Sequence, residues 1–152
     1  MRSIHVTRTI PASPEEVFDV LADHASYDRF RGIQRSELLK SGDPPPNGLG
    51  ALRRIKAWPA TFEEEITAFE RPARLDYLII RINLPFEHHG GSIRLSPEDG
   101  GTHVDWRSSY TIPIPLIGQL QERFWELLLN RGFRRVLEDV ERMTARSPKT
   151  TV

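Results

Sequence analysis

Apolar and polar residues alternate along most of the chain before residue 113, and Pro or Gly interrupts the alternation at short intervals. Residues 3–10 place Ile4, Val6 and Ile10 on one face and predict a first strand. The same period predicts further strands at about 33–39, 50–58, 60–70, 74–84, 88–96 and 102–112. Since the later connections are short, we expect these strands to pair as an antiparallel meander.

Two short helices are predicted between the first two strands. Ser13 precedes Pro14 and is followed three positions later by Glu16, the pattern of a capping box with proline in the first turn. A second short helix is expected around residues 27–30 and should end at Gly32.

The last segment predicts one long amphipathic helix over about residues 116–143. Its apolar residues recur at helical spacing: Ile117, Leu120, Phe124, Leu127, Leu128, Phe133, Val136, Leu137, Val140 and Met143. Gly132 lies inside this helix, and we expect it to face the sheet and leave space for a ligand.

The order of these elements predicts an α+β fold. A seven-stranded antiparallel sheet has an apolar face to cover, and only the terminal helix is long enough to cover it. A sheet curled around one helix leaves a gap that could serve as a ligand cavity. We expect residues 1–146 to form this single domain and residues 147–152 to be a frayed tail.

Composition narrows the function further. The chain has 152 residues, with 21 basic and 21 acidic side chains, so its formal net charge is zero. This balance argues against a chain-wide basic field for nucleic acid. The absence of cysteine excludes disulfides and thiolate metal sites. With no apolar run near the ~20 residues that span a bilayer and no signal-like start, a cytoplasmic protein without stable membrane insertion is expected.

Four segments and the terminal helix carry a resemblance to a known superfamily. The segments are IPASPEEVF (10–18), GLG (48–50), ITAFERPARL (66–75) and GGTHV (100–104). In this order and spacing they resemble the START-related helix-grip proteins, also called SRPBCC, and within them the polyketide cyclase/dehydrase branch. The resemblance covers essentially the whole chain and implies the helix-grip fold. It does not imply one function, because the superfamily includes lipid carriers, receptors and aromatase/cyclases.

The resemblance also implies that Ile66 faces the cavity, and antiparallel pairing extends this face across the sheet. A turn at Trp58-Pro59 then places Arg53 opposite Glu64, while Arg81 and His89 would follow on the same face. The expected ligand-binding residues are Arg53, Ile55, Phe62, Glu64, Ile66, Tyr77, Ile79, His89, Trp106, Ser108, Tyr110, Phe124 and Leu128. A β-bulge would exchange the residues beyond it for their neighbours.

The polar residues of this set have both functional and structural interpretations. Arg53 and Glu64 could anchor a ligand carbonyl or carboxylate, or they could simply form a cross-strand ion pair. His89 could relay protons near neutral pH, or it could only be hydrogen-bonded. No metal site is expected, because His88 and His89 are adjacent in a strand and point to opposite faces.

Two surface features bear on partners. The strand over 74–84 carries aliphatic residues on its outer face as well, namely Leu78, Ile80, Ile82 and Leu84, which a second copy or the first helices would cover. Arg131, Arg134 and Arg135 form a basic cluster that could meet anionic lipid or nucleic acid. We expect Glu138, Asp139 and Glu141 to neutralise it from the next turn, and so we expect no nucleic-acid partner.

Three functions are compatible with these features. The first is binding or transport of a small hydrophobic ligand, with no obligatory cofactor. The second is a polyketide aromatase/cyclase or dehydratase, in which Arg53 and Glu64 would orient carbonyls and Tyr77 or His89 would exchange protons. The third is a regulatory partner protein whose cavity is filled by its own side chains.

Overall fold

A computed structural model describes residues 1–113 and 118–145 of the chain. In chain order the elements are β1 (Arg2–Ile10), α1 (Pro14–Ala22), a 3₁₀ helix (His24–Arg29), β2 (Arg35–Lys40), β3 (Leu52–Ala57), β4 (Ala60–Glu70), β5 (Arg74–Ile82), β6 (Glu87–Glu98), β7 (Gly101–Thr111) and α2 (Gly118–Ala145). The expected helix start at 116 and the expected tail at 147–152 lie outside the described residues.

The seven strands form one antiparallel sheet in the order β1-β7-β6-β5-β4-β3-β2. Strands β2 to β7 are a meander, and β1 closes against β7, so the first and second strands are the two edges. The predicted α+β helix-grip fold is therefore confirmed.

Local sequence signals account for the ends of the elements. Ser13 caps α1, since its Oγ accepts a hydrogen bond from the Glu16 backbone N–H at 3.2 Å, and Pro14 occupies the first turn. The positive φ of Gly32 ends the segment after the 3₁₀ helix.

The second half of α2 fixes the helix over the sheet. Leu137 and Val140 are buried in the core with residues of β1 and α1. Beside them the buried Asp139 carboxylate accepts hydrogen bonds from the Arg31 backbone N–H at 2.9 Å and from Arg31 Nε at 2.8 Å. A buried carboxylate needs such donors, so this contact ties α2 to the loop after the 3₁₀ helix.

The pairing of the described strands has four irregularities in register, and two of them change which of the expected residues line the cavity. One lies in β5 opposite Glu63 and Glu64, and the other lies in β6 between His88 and Gly90. Because a strand has a side-chain period of two, each extra residue inverts the faces beyond it.

Within the described residues, no helix is long and apolar enough to cross a membrane.

Candidate functional site

A cavity of about 520 Å³ lies between the inner face of the sheet and the first half of α2. Its size falls within the range of ~300–1,000 Å³ found for small-molecule sites. Its lining residues are mostly aliphatic and aromatic: Ile4, Tyr27, Ile33, Arg53, Ile55, Ala60, Phe62, Glu64, Tyr77, Ile79, Ile82, Leu84, Pro85, Phe86, His88, Ile93, Trp106, Ser108, Tyr110, Ile112, Phe124, Trp125, Leu129 and Phe133.

Ten of the thirteen residues expected from the sequence line this cavity. They are Arg53, Ile55, Phe62, Glu64, Tyr77, Ile79, Trp106, Ser108, Tyr110 and Phe124. Ile66 is buried in the core but is not part of the cavity wall. Leu128 is exposed on the outer side of α2, and Leu129 occupies the wall instead.

The placement of His89 was wrong. His88 lines the cavity, whereas His89 lies on the outer face, where its Nε2 is 2.7 Å from Thr111 Oγ1. The register of β6 on β5 follows the sequence expectation as far as Tyr77 and Gly91. The bulge between His88 and Gly90, made with a φ of 129° at Gly90, then exchanges the two histidines.

The bulge in β5 likewise inverts the faces of the residues that follow it in the strand. Arg81 is exposed and faces Glu63 on the outer side, rather than the cavity as expected. Ile82 and Leu84, expected on the outer face, line the cavity. The outer aliphatic row is therefore reduced to Leu78 and Ile80, which weakens the argument for a covered surface there.

Gly132 also differs from its expectation. It is exposed on α2, and no atom lies within 4 Å of the position that a Cβ would occupy. Its missing side chain therefore makes no room in the cavity.

Arg53 and Glu64 lie opposite each other on β3 and β4, at the predicted register, with both side chains buried. Arg53 Nε donates to Glu64 Oε2 at 2.6 Å, and Nη2 makes a second contact with the same oxygen. The guanidinium lies 4.3 Å from the ring centroid of Tyr27 and is therefore also in cation–π contact. Burial acts to lower the pKa of Arg53, but the charge of Glu64 and the contacts with Tyr27 together raise it.

His24 completes this group, and no pattern in the sequence singled it out. Its Nδ1 accepts a hydrogen bond from Arg53 Nη1 at 2.6 Å. Burial, together with the adjacent Arg53 charge, lowers the pKa of His24 from 6.5 to about 2. His24 is therefore a neutral acceptor that holds the outer edge of the Arg53 guanidinium, a contact across 29 residues that only the folded loop creates.

A second polar group crosses β5, β6 and β7. The Ile79 backbone N–H donates to His88 Nδ1 at 2.9 Å, so this nitrogen must be the unprotonated one. His88 Nε2 then carries the hydrogen and donates to Ser108 Oγ at 2.8 Å. Burial, aided by the nearby His89, lowers the pKa of His88 to about 4, so the ring is neutral at physiological pH.

Tyr77 lies at the centre of this group. Its hydroxyl oxygen accepts a hydrogen bond from Trp106 Nε1 at 2.9 Å. Burial raises the pKa of Tyr77 and outweighs the lowering effect of its hydrogen bonds with Trp106 and Ser108. Its ring stacks on His88, with 5.4 Å between the centroids. Because Trp106 Nε1 is the donor in this bond, the hydrogen of the Tyr77 hydroxyl is not used in it and can be donated to a ligand.

Two stacked pairs of aromatic side chains form further parts of the cavity wall. Trp106 on β7 stacks on Phe133 of α2, with their centroids 4.1 Å apart. Phe86 stacks on Tyr110 at 5.0 Å. These pairs join the sheet to the helix and to the β5–β6 connection with flat apolar surfaces, which favour contact with rings and alkyl chains.

The comparisons with known proteins agree with this architecture. Residues 1–143 match the family described as polyketide cyclase / dehydrase and lipid transport. No curated protein has a significantly similar sequence. The protein TTHA0849 from Thermus thermophilus has a similar fold, with a TM-score of 0.80 and 19% identity over 97% of this chain and 100% of that one.

Two other solved structures show the same fold at low identity. A START superfamily protein from Mycobacterium smegmatis has a TM-score of 0.73 and 12% identity, over 95% of this chain and 97% of that one. The di-domain aromatase/cyclase StfQ of the steffimycin pathway has a TM-score of 0.79 and 13% identity, over 94% of this chain and 50% of that one.

Proposed function

Since the chain belongs to the polyketide cyclase/dehydrase and lipid transport family, we propose that it binds and carries one small, uncharged hydrophobic ligand in the cavity between the sheet and α2. The ligand has an apolar body and one carbonyl or hydroxyl oxygen.

The observation that carries this proposal is the charge of the wall. Among the described residues, Arg53 and Glu64 are the only charged side chains that line the cavity, and they neutralise each other. The Nδ1 atom of His24 accepts a hydrogen bond from Nη1 of Arg53, so this donor is also occupied. A ligand carboxylate would therefore enter an apolar space without a free cation, at a cost of several kcal/mol.

The oxygen of the ligand is assigned to the Tyr77 side of the cavity. Trp106 Nε1 donates to the Tyr77 oxygen at 2.9 Å, and the phenol hydrogen is the group that Tyr77 can donate to a ligand. A neutral carbonyl or hydroxyl accepts such a hydrogen bond without bringing charge into the cavity.

A cyclase or dehydratase would need a group that exchanges protons near neutral pH. Tyr77 has a raised pKa, and His24 and His88 have pKa values lowered to about 2 and about 4. None of these three is matched to acid–base work at neutral pH, so carriage is favoured over the enzyme.

The test is displacement of the neutral fluorescent probe N-phenyl-1-naphthylamine by decanol and by decanoate, two ligands matched in length. We expect decanol to displace the probe at a concentration at least ~10-fold lower, because desolvating the carboxylate costs more than ~1.4 kcal/mol. Equal or better displacement by decanoate would contradict an uncharged ligand.

A variant sharpens this test. Glu64→Gln leaves Arg53 without its counter-ion and should raise the affinity for decanoate. Glu65→Gln is the matched control, since Glu65 is the next residue on β4 and is not on the cavity wall. Both variants are compared once circular dichroism shows that they are folded.

A further inference from the structure

The outer face of the first half of α2 exposes four large apolar side chains. Leu120, Phe124, Leu127 and Leu128 are 78%, 62%, 67% and 44% exposed. Their spacing places them on one side of the helix. Large apolar groups clustered in this way on a surface mark an interaction site rather than chance exposure.

The next turns of the same face are basic. Arg131, Arg134 and Arg135 are exposed and make no ion pair or side-chain hydrogen bond with any residue in 1–113 or 118–145. Arg123 is exposed beside the apolar turns. The α2 patch is defined as the four apolar residues and the three arginines that follow them on this face: Leu120, Phe124, Leu127, Leu128, Arg131, Arg134 and Arg135.

The acidic residues that were expected to neutralise these arginines pair elsewhere. Glu138 pairs with Arg31 at 3.2 Å, and Glu141 pairs with Arg8 at 2.8 Å. Asp139 is buried against Arg31 and also receives Arg142. The expected neutralisation is therefore wrong, because residues distant in the sequence take the carboxylates.

The order of the two halves gives the patch a polarity along the helix axis. Arg131 lies seven positions after Phe124, which corresponds to about 10 Å along the axis at 1.5 Å per residue. Apolar side chains of interfacial helices enter a bilayer by ~5–10 Å, so a helix that meets the surface tilted, with its first turns inward, brings the arginines to the level of the head groups. Guanidinium groups bind phosphate oxygens through paired hydrogen bonds.

We propose that the α2 patch docks the protein reversibly on an anionic lipid surface, with the apolar turns in the head-group boundary and the three arginines on lipid phosphates. Phe124 belongs to the patch and also lines the cavity, so the docked face adjoins the ligand site. A second copy is disfavoured as the occupant, because the adjacent Glu138 is paired with Arg31 and three arginines on each copy would face one another. This proposal does not depend on the charge or identity of the cavity ligand.

The test is flotation with vesicles of phosphatidylcholine alone and of phosphatidylcholine with about 30% phosphatidylglycerol, at low and physiological salt. We expect binding to the anionic vesicles only, and weaker binding as salt rises. The triple variant Arg131→Gln/Arg134→Gln/Arg135→Gln should lose roughly 100-fold in partition, since each basic residue near an anionic surface contributes about fivefold.

A matched control separates the patch from net charge. Arg35→Gln/Arg81→Gln/Arg94→Gln removes the same three charges from exposed positions on β2, β5 and β6 and should keep near wild-type partition. Equal loss in both triple variants would show that overall charge, not the patch, governs adsorption and would overturn the proposal.

The apolar half is tested by Leu127→Ser/Leu128→Ser, two residues outside the cavity wall. We expect at least ~10-fold weaker partition into anionic vesicles, because two leucines leave the head-group boundary. The variant should still bind N-phenyl-1-naphthylamine. The proposal would be overturned if the wild-type protein did not float with anionic vesicles. It would also be overturned if light scattering showed a wild-type dimer that Leu127→Ser/Leu128→Ser converts to a monomer.

Discussion

The ring of Tyr77 lies directly over the backbone of Gly91, at the position that a Cβ on residue 91 would occupy. The two residues are opposite each other on β5 and β6. Gly91 is thus the residue that lets the phenol lie against the sheet and reach Trp106. The sequence did not predict this role of Gly91, because two adjacent glycines in a strand indicate a bulge and do not show that one of them makes room for an aromatic ring.

Gly91→Ala should therefore displace Tyr77 and break its hydrogen bond to Trp106. We expect a loss of about 1–3 kcal/mol in the free energy of unfolding, the usual cost of overpacking a core. Urea denaturation measures this loss, and the near-ultraviolet circular dichroism of Trp106 should change with it. Unchanged stability would show that the ring has another place to go.

Gly132→Ala is the contrasting glycine substitution. An exposed helical glycine with open space around it should gain up to ~1 kcal/mol in stability when replaced by alanine. Binding of N-phenyl-1-naphthylamine should not change. Weaker probe binding in a more stable variant would mean that the glycine does serve the cavity, as the sequence had suggested.

The buried ion pair is tested by single and double substitutions. Glu64→Gln should destabilise the fold by ~3–5 kcal/mol, because Arg53 stays buried without its counter-ion. Arg53→Leu combined with Glu64→Leu should cost less than the sum of the two single changes. It should not be neutral, since His24 then loses its donor, which costs ~1–3 kcal/mol.

Adding His24→Leu to that double variant should recover part of this loss. Chemical denaturation of the single, double and triple variants measures the couplings. Strict additivity of the single changes would contradict a coupled His24–Arg53–Glu64 group.

Stability should fall as the pH falls from about 7 toward about 5. His24 and His88 have folded-state pKa values lowered to about 2 and about 4, while the unfolded rings bind protons near 6.5. The unfolded state thus binds more protons in this window, and each ring contributes up to ~1.4 kcal/mol per pH unit. This stabilisation is fully present above the unfolded pKa of 6.5 and is lost as the pH drops toward the folded-state values.

His88→Asn should reduce the slope of stability against pH by about one proton between about pH 6.5 and pH 5. His89→Asn should reduce the slope much less, because burial, the larger cause of the lowered pKa of His88, is unchanged in this variant. Urea titrations at half-unit pH steps measure both slopes. An equal reduction in the two variants would contradict the assignment of His88 as the buried histidine.

The parts of the site that were predictable depend on short-range geometry. The turn at Trp58-Pro59 fixes the pairing of β3 with β4, and hence the contact of Arg53 with Glu64. The fold followed in the same way, because alternation, caps and one long apolar stripe agree with one another.

The errors begin where a bulge or a distant contact intervenes. His89 is the extra residue of the bulge in β6, and Arg81 lies beyond the bulge in β5; alternation carries no signal for an extra residue. Arg31 takes Asp139 from across 108 residues, which no helix-spacing rule foresees. His24 was passed over for the same reason, since its role exists only once β3 lies beside the 3₁₀ helix.

The central claim, an internal site on the concave face of the sheet, is tested most directly by two adjacent tryptophans. Ile79 lines the cavity, and Ile80 is the exposed bulge residue next to it. Titration with N-phenyl-1-naphthylamine should give one site in the wild type and in Ile80→Trp with similar affinity. Ile79→Trp, folded by circular dichroism, should bind at least ~10-fold more weakly, because the larger ring occupies ligand space. Equal affinity in all three folded proteins, or stronger impairment in Ile80→Trp, would contradict the internal site.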